Sequence, residues 1–124
     1  VGARLAALLE RTPPQYLRRI LVQRDERAVL VPVQQIDRLE AARNDVHLYT
    51  ADTVHVVRGT LGELAARLDP ATFLRVNRST IVRIDAIKEL QPWFHGDYRV
   101  ILRDGTELMW SRRYRAKQRS SFEL

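Results

Sequence analysis

At 124 residues, with 45% hydrophobic content and no cysteine, the chain is long enough for one domain with a real core, and disulfides and thiolate metal sites are excluded. Its formal charge of +6 favours polyanionic partners, while no apolar run approaches the roughly 18 residues of a membrane-crossing helix. With no secretory leader pattern, a cytoplasmic protein without a membrane association is expected.

Residues 1–14 place Leu5, Leu8 and Leu9 on one helical face before Thr12-Pro13-Pro14 stops the turn. Too short to stand alone, this segment reads as a linker helix from a missing upstream domain, with residues 15–124 forming the domain proper. Residues 16–33 alternate around the polar Arg24-Asp25-Glu26-Arg27 and predict a hairpin, followed by a single turn over 33–36. Three short strands are expected over 38–42, 46–50 and 53–58, joined by turns at Arg43-Asn44-Asp45 and Ala51-Asp52.

Thr60 and Glu63 have the spacing of a capping box, and Leu61, Leu64, Ala65 and Leu68 form the apolar stripe of a helix that Asp69-Pro70 ends. Its expected role is to cover one end of a sheet. From Phe73 to Ile87 the apolar residues alternate with Arg, Ser and Thr, which predicts strands with one face in the core and a basic outer face. Strands over 87–92 and 98–103 flank a turn at His95-Gly96-Asp97. Asp104-Gly105 marks a further hairpin, and Ser111 is placed to cap a last helix over 112–118.

The charge is not spread evenly. Residues 73–124 hold 11 Lys and Arg against 6 Asp and Glu, a net of +5, which leaves 10 against 9, a net of +1, for residues 1–72. A localised basic face attracts phosphates by releasing their condensed counterions. Its arginines suit forked hydrogen bonds to phosphate or to guanine edges.

Catalytic constellations are weak by comparison. His47, His55 and His95 lack metal-ligand spacing and have no Cys to help them, so no metal and no cofactor is expected. His55, on an alternating strand, reads as a satisfied structural residue. Ser79 and Ser111 have no nucleophile-elbow context, no glycine-rich phosphate loop opens a helix, and nothing singles out an acid and base pair. The chain does not read as an enzyme.

Taken together, the run Phe73-Leu74-Arg75-Val76-Asn77-Arg78-Ser79-Thr80-Ile81-Val82, Ile87, the strand from Tyr98, Asp104-Gly105 and Ser111-Arg112-Arg113-Tyr114 resemble the LytTR DNA-binding domain of LytR/AlgR-type response regulators. Upstream, the segment from Val33 to Ala41 resembles the approach to that family's first recognition loop, so the resemblance covers about residues 16–120. It implies a mainly β, elongated antiparallel fold with one or two short helices, in which loops rather than a helix enter the major groove. It also implies DNA contacts by Arg78 and Arg113 above all. Asn77, Ser79, Ser111 and Arg112 would flank them, with one or more of Arg43, Asn44, Asp45 and His47 in the early loop. Thr80 stands where an aromatic is common, and Arg83 where Asn is usual.

The function implied is a sequence-specific transcriptional regulator, bound to double-stranded DNA as a homodimer on repeated half-sites and driven by an upstream receiver domain outside this chain. The alternative is a β-rich RNA-binding or protein-interaction module that uses the same basic face, with Trp93, Phe94, Tyr98, Trp110 and Tyr114 as stacking platforms. Their spacing fits core and hairpin packing equally well.

Overall fold

The computed structural model describes residues 15–117; the linker helix expected over 1–14 and the end of the last helix at Gln118 lie outside them. Among the described residues ten strands form three antiparallel sheets. The hairpin β1 (Arg19–Arg24) and β2 (Arg27–Pro32) turns at Asp25-Glu26 and is followed by a single 3-10 turn, Val33–Gln35. The five-stranded sheet contains β3 (Arg38–Ala42), β4 (Asp45–Tyr49), β5 (Val54–Arg58), β6 (Phe73–Asn77) and β7 (Thr80–Arg83), in the order β5-β4-β3-β7-β6. A three-stranded sheet, β10-β9-β8, is built from β8 (Ile87–Pro92), β9 (Tyr98–Leu102) and β10 (Glu107–Trp110).

Two short helices complete the described residues. In α1 (Leu61–Arg67) the Thr60 hydroxyl accepts from the Glu63 N–H at 3.2 Å, one half of the expected box. Leu61 and Leu68 are buried, and Leu64 and Ala65 pack beside them. At α2 (Arg112–Lys117) the Ser111 hydroxyl accepts from the Tyr114 N–H at 3.4 Å.

Two core clusters form where a single core is expected, and β6 and β7 belong to both. Phe73 and Ile81 join Ile20, Val22, Val31, Leu39, Leu48 and the α1 leucines, whereas Leu74, Val76 and Val82 join Val100, Leu102 and Trp110. Successive residues of a strand face opposite ways, so the hairpin and α1 cover one face of β6 and β7 while the three-stranded sheet covers the other. This corrects the one-sided reading of the 73–87 stretch. Thr80 is buried, and Arg75 and Arg83 are half-buried, so little of a basic outer face survives along the strands. The charge is displaced to their ends.

His55 is buried, as expected of a structural residue, and lies opposite Leu48 on the face of the first core. Its Nδ1 nevertheless has no hydrogen-bond partner among the described residues.

Candidate nucleic-acid interface

Three connections made far apart in sequence meet at one end of the sheets. The β3 to β4 turn is Arg43-Asn44, between the paired Ala42 and Asp45. Arg43 adopts φ 58°, a left-handed conformation that non-glycine residues enter rarely and at a cost. The Asn44 carbonyl accepts from the Gly59 N–H at 2.9 Å, fixing the turn to the end of β5.

The β6 to β7 turn, Arg78-Ser79, is held still more firmly. Asn77 Oδ1 accepts from the Ser79 N–H at 2.8 Å, and Asn77 Nδ2 donates to the Met109 carbonyl at 2.8 Å. Arg75 Nη2 donates to the Arg78 carbonyl at 2.7 Å, and the Ala41 N–H donates to the Ser79 carbonyl at 2.9 Å. The last bond places this turn beside the β3 to β4 turn. A third connection leaves β10 at Ser111, whose N–H donates to the Val76 carbonyl at 2.9 Å.

These backbone bonds set the connections that carry Arg43, Asn44, Arg78 and Ser79 side by side and bring Ser111, which leads into Arg112 and Arg113, against β6. Arg43, Asn44, Arg78, Ser79, Arg112 and Arg113 are exposed and Ser111 is half-buried. The Arg78 and Arg113 guanidiniums form no hydrogen bond or ion pair with another described residue. Three of the residues named from sequence, Asn77, His47 and Asp45, behave differently. The Asn77 amide is engaged at both ends within the protein. His47 lies in β4 rather than in the early loop, paired with Glu40 and Val56, half-buried, its ring 6.4 Å from that of Tyr49. Asp45 is likewise the first residue of that strand.

The strand arginines serve as fasteners. Arg38 lies 3.8 Å over the Tyr49 ring, approaches Glu40 at 3.5 Å and donates to Thr106 Oγ1 at 3.3 Å, joining β3 to the β9 to β10 loop. In that loop the Thr106 N–H, donated to Asp104, together with the Thr106 hydroxyl, lowers the Asp104 carboxyl below its ordinary value. Burial, reinforced by the neighbouring Glu40 carboxylate, raises the Tyr49 phenol. Sequence reasoning overlooked Arg75 as a turn-holding residue; its spacing of three from Arg78 is the available signal.

A LytTr-type antiparallel fold with exposed arginines gathered on its turns defines the class. The family profile of the LytTr DNA-binding domain matches residues 26–123. The chain belongs to that family. It is 35% identical over 89 residues to the sensory transduction protein LytT of Bacillus subtilis (strain 168), covering 72% of this chain and 37% of that relative. To the transcriptional regulatory protein YpdB of Escherichia coli (strain K12) it is 32% identical over 81 residues, 65% of this chain and 33% of that relative. The chain therefore spans about a third of the length of these curated relatives. A solved LytTr DNA-binding domain from Bacillus cereus superposes with a TM-score of 0.77 at 20% identity, over 87% of this chain and 99% of that one. That likeness concerns the fold.

Proposed function

We propose that this chain is the DNA-reading part of a bacterial two-component response regulator, binding duplex DNA as a dimer on repeated half-sites under the control of an upstream receiver domain. The observation that carries the reading is the joining of the Arg78-Ser79 turn to β3 through Ser79 and of Ser111 to β6 through Val76, on connections whose Arg78 and Arg113 are exposed and have no side-chain partner among the described residues. A guanidinium in that state keeps its forked donors for guanine O6 and N7, while neighbouring hydroxyls donate to phosphate. Arg43, Asn44 and Arg112 extend the same end, and Asn77 acts by holding the turn. His47 belongs to the strand behind them. The names of the LytT and YpdB relatives, a sensory transduction protein and a transcriptional regulator, support the regulatory role.

Selection of bound duplexes from a random pool at physiological salt tests the reading. A motif recurring about one helical turn apart is expected. On the selected site Arg113→Ala should cost about 1–3 kcal/mol, with a smaller loss on unrelated sequence. Retention without enrichment would favour an electrostatic platform for RNA or an acidic protein instead.

A further inference from the structure

Among the aromatics singled out in the sequence, Trp110 is buried and Tyr98 and Tyr114 pack against the second core. Trp93 and Phe94 do not follow them. They are 42% and 68% exposed, with ring centroids 5.2 Å apart in an edge-on arrangement, at the start of the β8 to β9 connection, where Trp93 precedes the 3-10 turn Phe94–Gly96. Contiguous exposed apolar surface, unlike scattered single residues, marks sites of interaction.

Their place in the fold says what the surface meets. The pairs Pro92 with Tyr98 and Tyr98 with Trp110 put residues 93–97 at the end of the three-stranded sheet from which Ser111 departs. The loop is fastened to α2 itself. Asp97 Oδ1 accepts from the Arg112 N–H at 2.7 Å, and the Gly96 carbonyl accepts from Arg115 Nη2 at 2.8 Å. Gly96 lies so close to Arg112 that a Cβ there would stand 2.9 Å from Arg112 Cδ, and its φ of 83° also favours glycine. The aromatic pair thus sits on a loop hydrogen-bonded to the helix that carries Arg112 and Arg113.

The surroundings carry three arginines against two acids, Asp97 in the loop and Glu107, which pairs with Arg99 at 3.2 Å. The Arg99 guanidinium lies 4.6 Å over the Trp93 ring, and Arg112 and Arg115 border the loop. A second copy meeting this surface across a two-fold axis would set one net positive patch against another, whereas a phosphate backbone meets it with opposite charge. With Arg99 over Trp93, that ring also has one face fewer for an unpaired base. We infer that the 93–97 loop packs on the sugar-phosphate backbone of the same duplex, beyond the base pairs read by Arg113, with Phe94 against deoxyribose and Arg112 toward phosphate, Arg99 and Arg115 being engaged with Gln91, Glu107 and Gly96. This inference rests on the DNA-binding reading and extends its footprint.

The test compares Phe94→Ser with the unmodified chain on three probes. These are the selected site with about ten base pairs of flank on each side, the site trimmed of its flanks, and one strand of the longer probe. Loss of roughly fivefold on the flanked duplex, less than about twofold on the trimmed one, and recovery by Phe94→Tyr are expected, because few contacts at an interface carry large terms. Arg113→Ala should lose affinity on both duplexes. Equal binding of Phe94→Ser and the unmodified chain to the flanked duplex would overturn the inference and leave the DNA reading standing. An equal loss on the single strand would overturn it in favour of base stacking, and a loss of self-association in sedimentation in favour of a second copy. If the unmodified chain retains no duplex, both fall.

Discussion

Arg83 donates through Nε to the Ile36 carbonyl at 3.0 Å and through Nη2 to Asp37 Oδ1 at 2.9 Å, with its side chain 20% exposed. It stitches the end of β7 to the entrance of β3. Arg83→Met removes both bonds and leaves an acceptor short of its partner, so stability should fall by about 1–3 kcal/mol in urea unfolding. DNA affinity per folded molecule should be unchanged. Loss of affinity without loss of stability would show that Arg83 contacts DNA. Composition reveals that this arginine exists but not that its partner lies 46 residues away. The same blindness applies to Asn77, whose amide reaches Met109, and to the left-handed backbone at Arg43, since Arg is not a residue type that announces positive φ. Arg78 and Arg113 stood out in the sequence because their motifs are local.

At the scale of the element, the loop between β9 and β10 depends on a charge. The Thr106 N–H and hydroxyl favour ionised Asp104, so its folded pKa is depressed. A depressed carboxylate contributes stability that is present above the unfolded value, near 3.9, and is lost as pH falls through the folded value. Urea midpoints of the unmodified chain and Asp104→Asn should therefore differ near neutrality and converge below about pH 4. A difference that persists in acid would mean that side-chain shape rather than charge holds the loop. The Asp104-Gly105 signal and the Thr60 cap were legible because turn and cap chemistry act within a few residues. The double-sided burial of β6 and β7 was not, because Thr80 and the arginine stems count as polar letters while their carbons line a packed layer.

Across the whole molecule the shared strands couple the two cores. Leu39 is fully buried in the first cluster, Trp110 in the second, and β6 and β7 stand between them. Leu39→Ala should cost about 2–5 kcal/mol and shift the tryptophan fluorescence midpoint by as much as the circular dichroism midpoint. Separate transitions would mean that the two layers unfold independently. Alternation alone could find the strands, whereas the number of cores depends on which sheet stacks on which, and that is decided by contacts between distant segments.

The turns at Arg43-Asn44 and Arg78-Ser79 project beyond both clusters, anchored through backbone carbonyls rather than through their own side chains. Heredity can exploit that division. A substitution at an exposed tip exchanges the chemistry presented outward while the bonds that shape the tip remain, so descendants of one gene can vary these tips without crossing the stability threshold that purges most mutations.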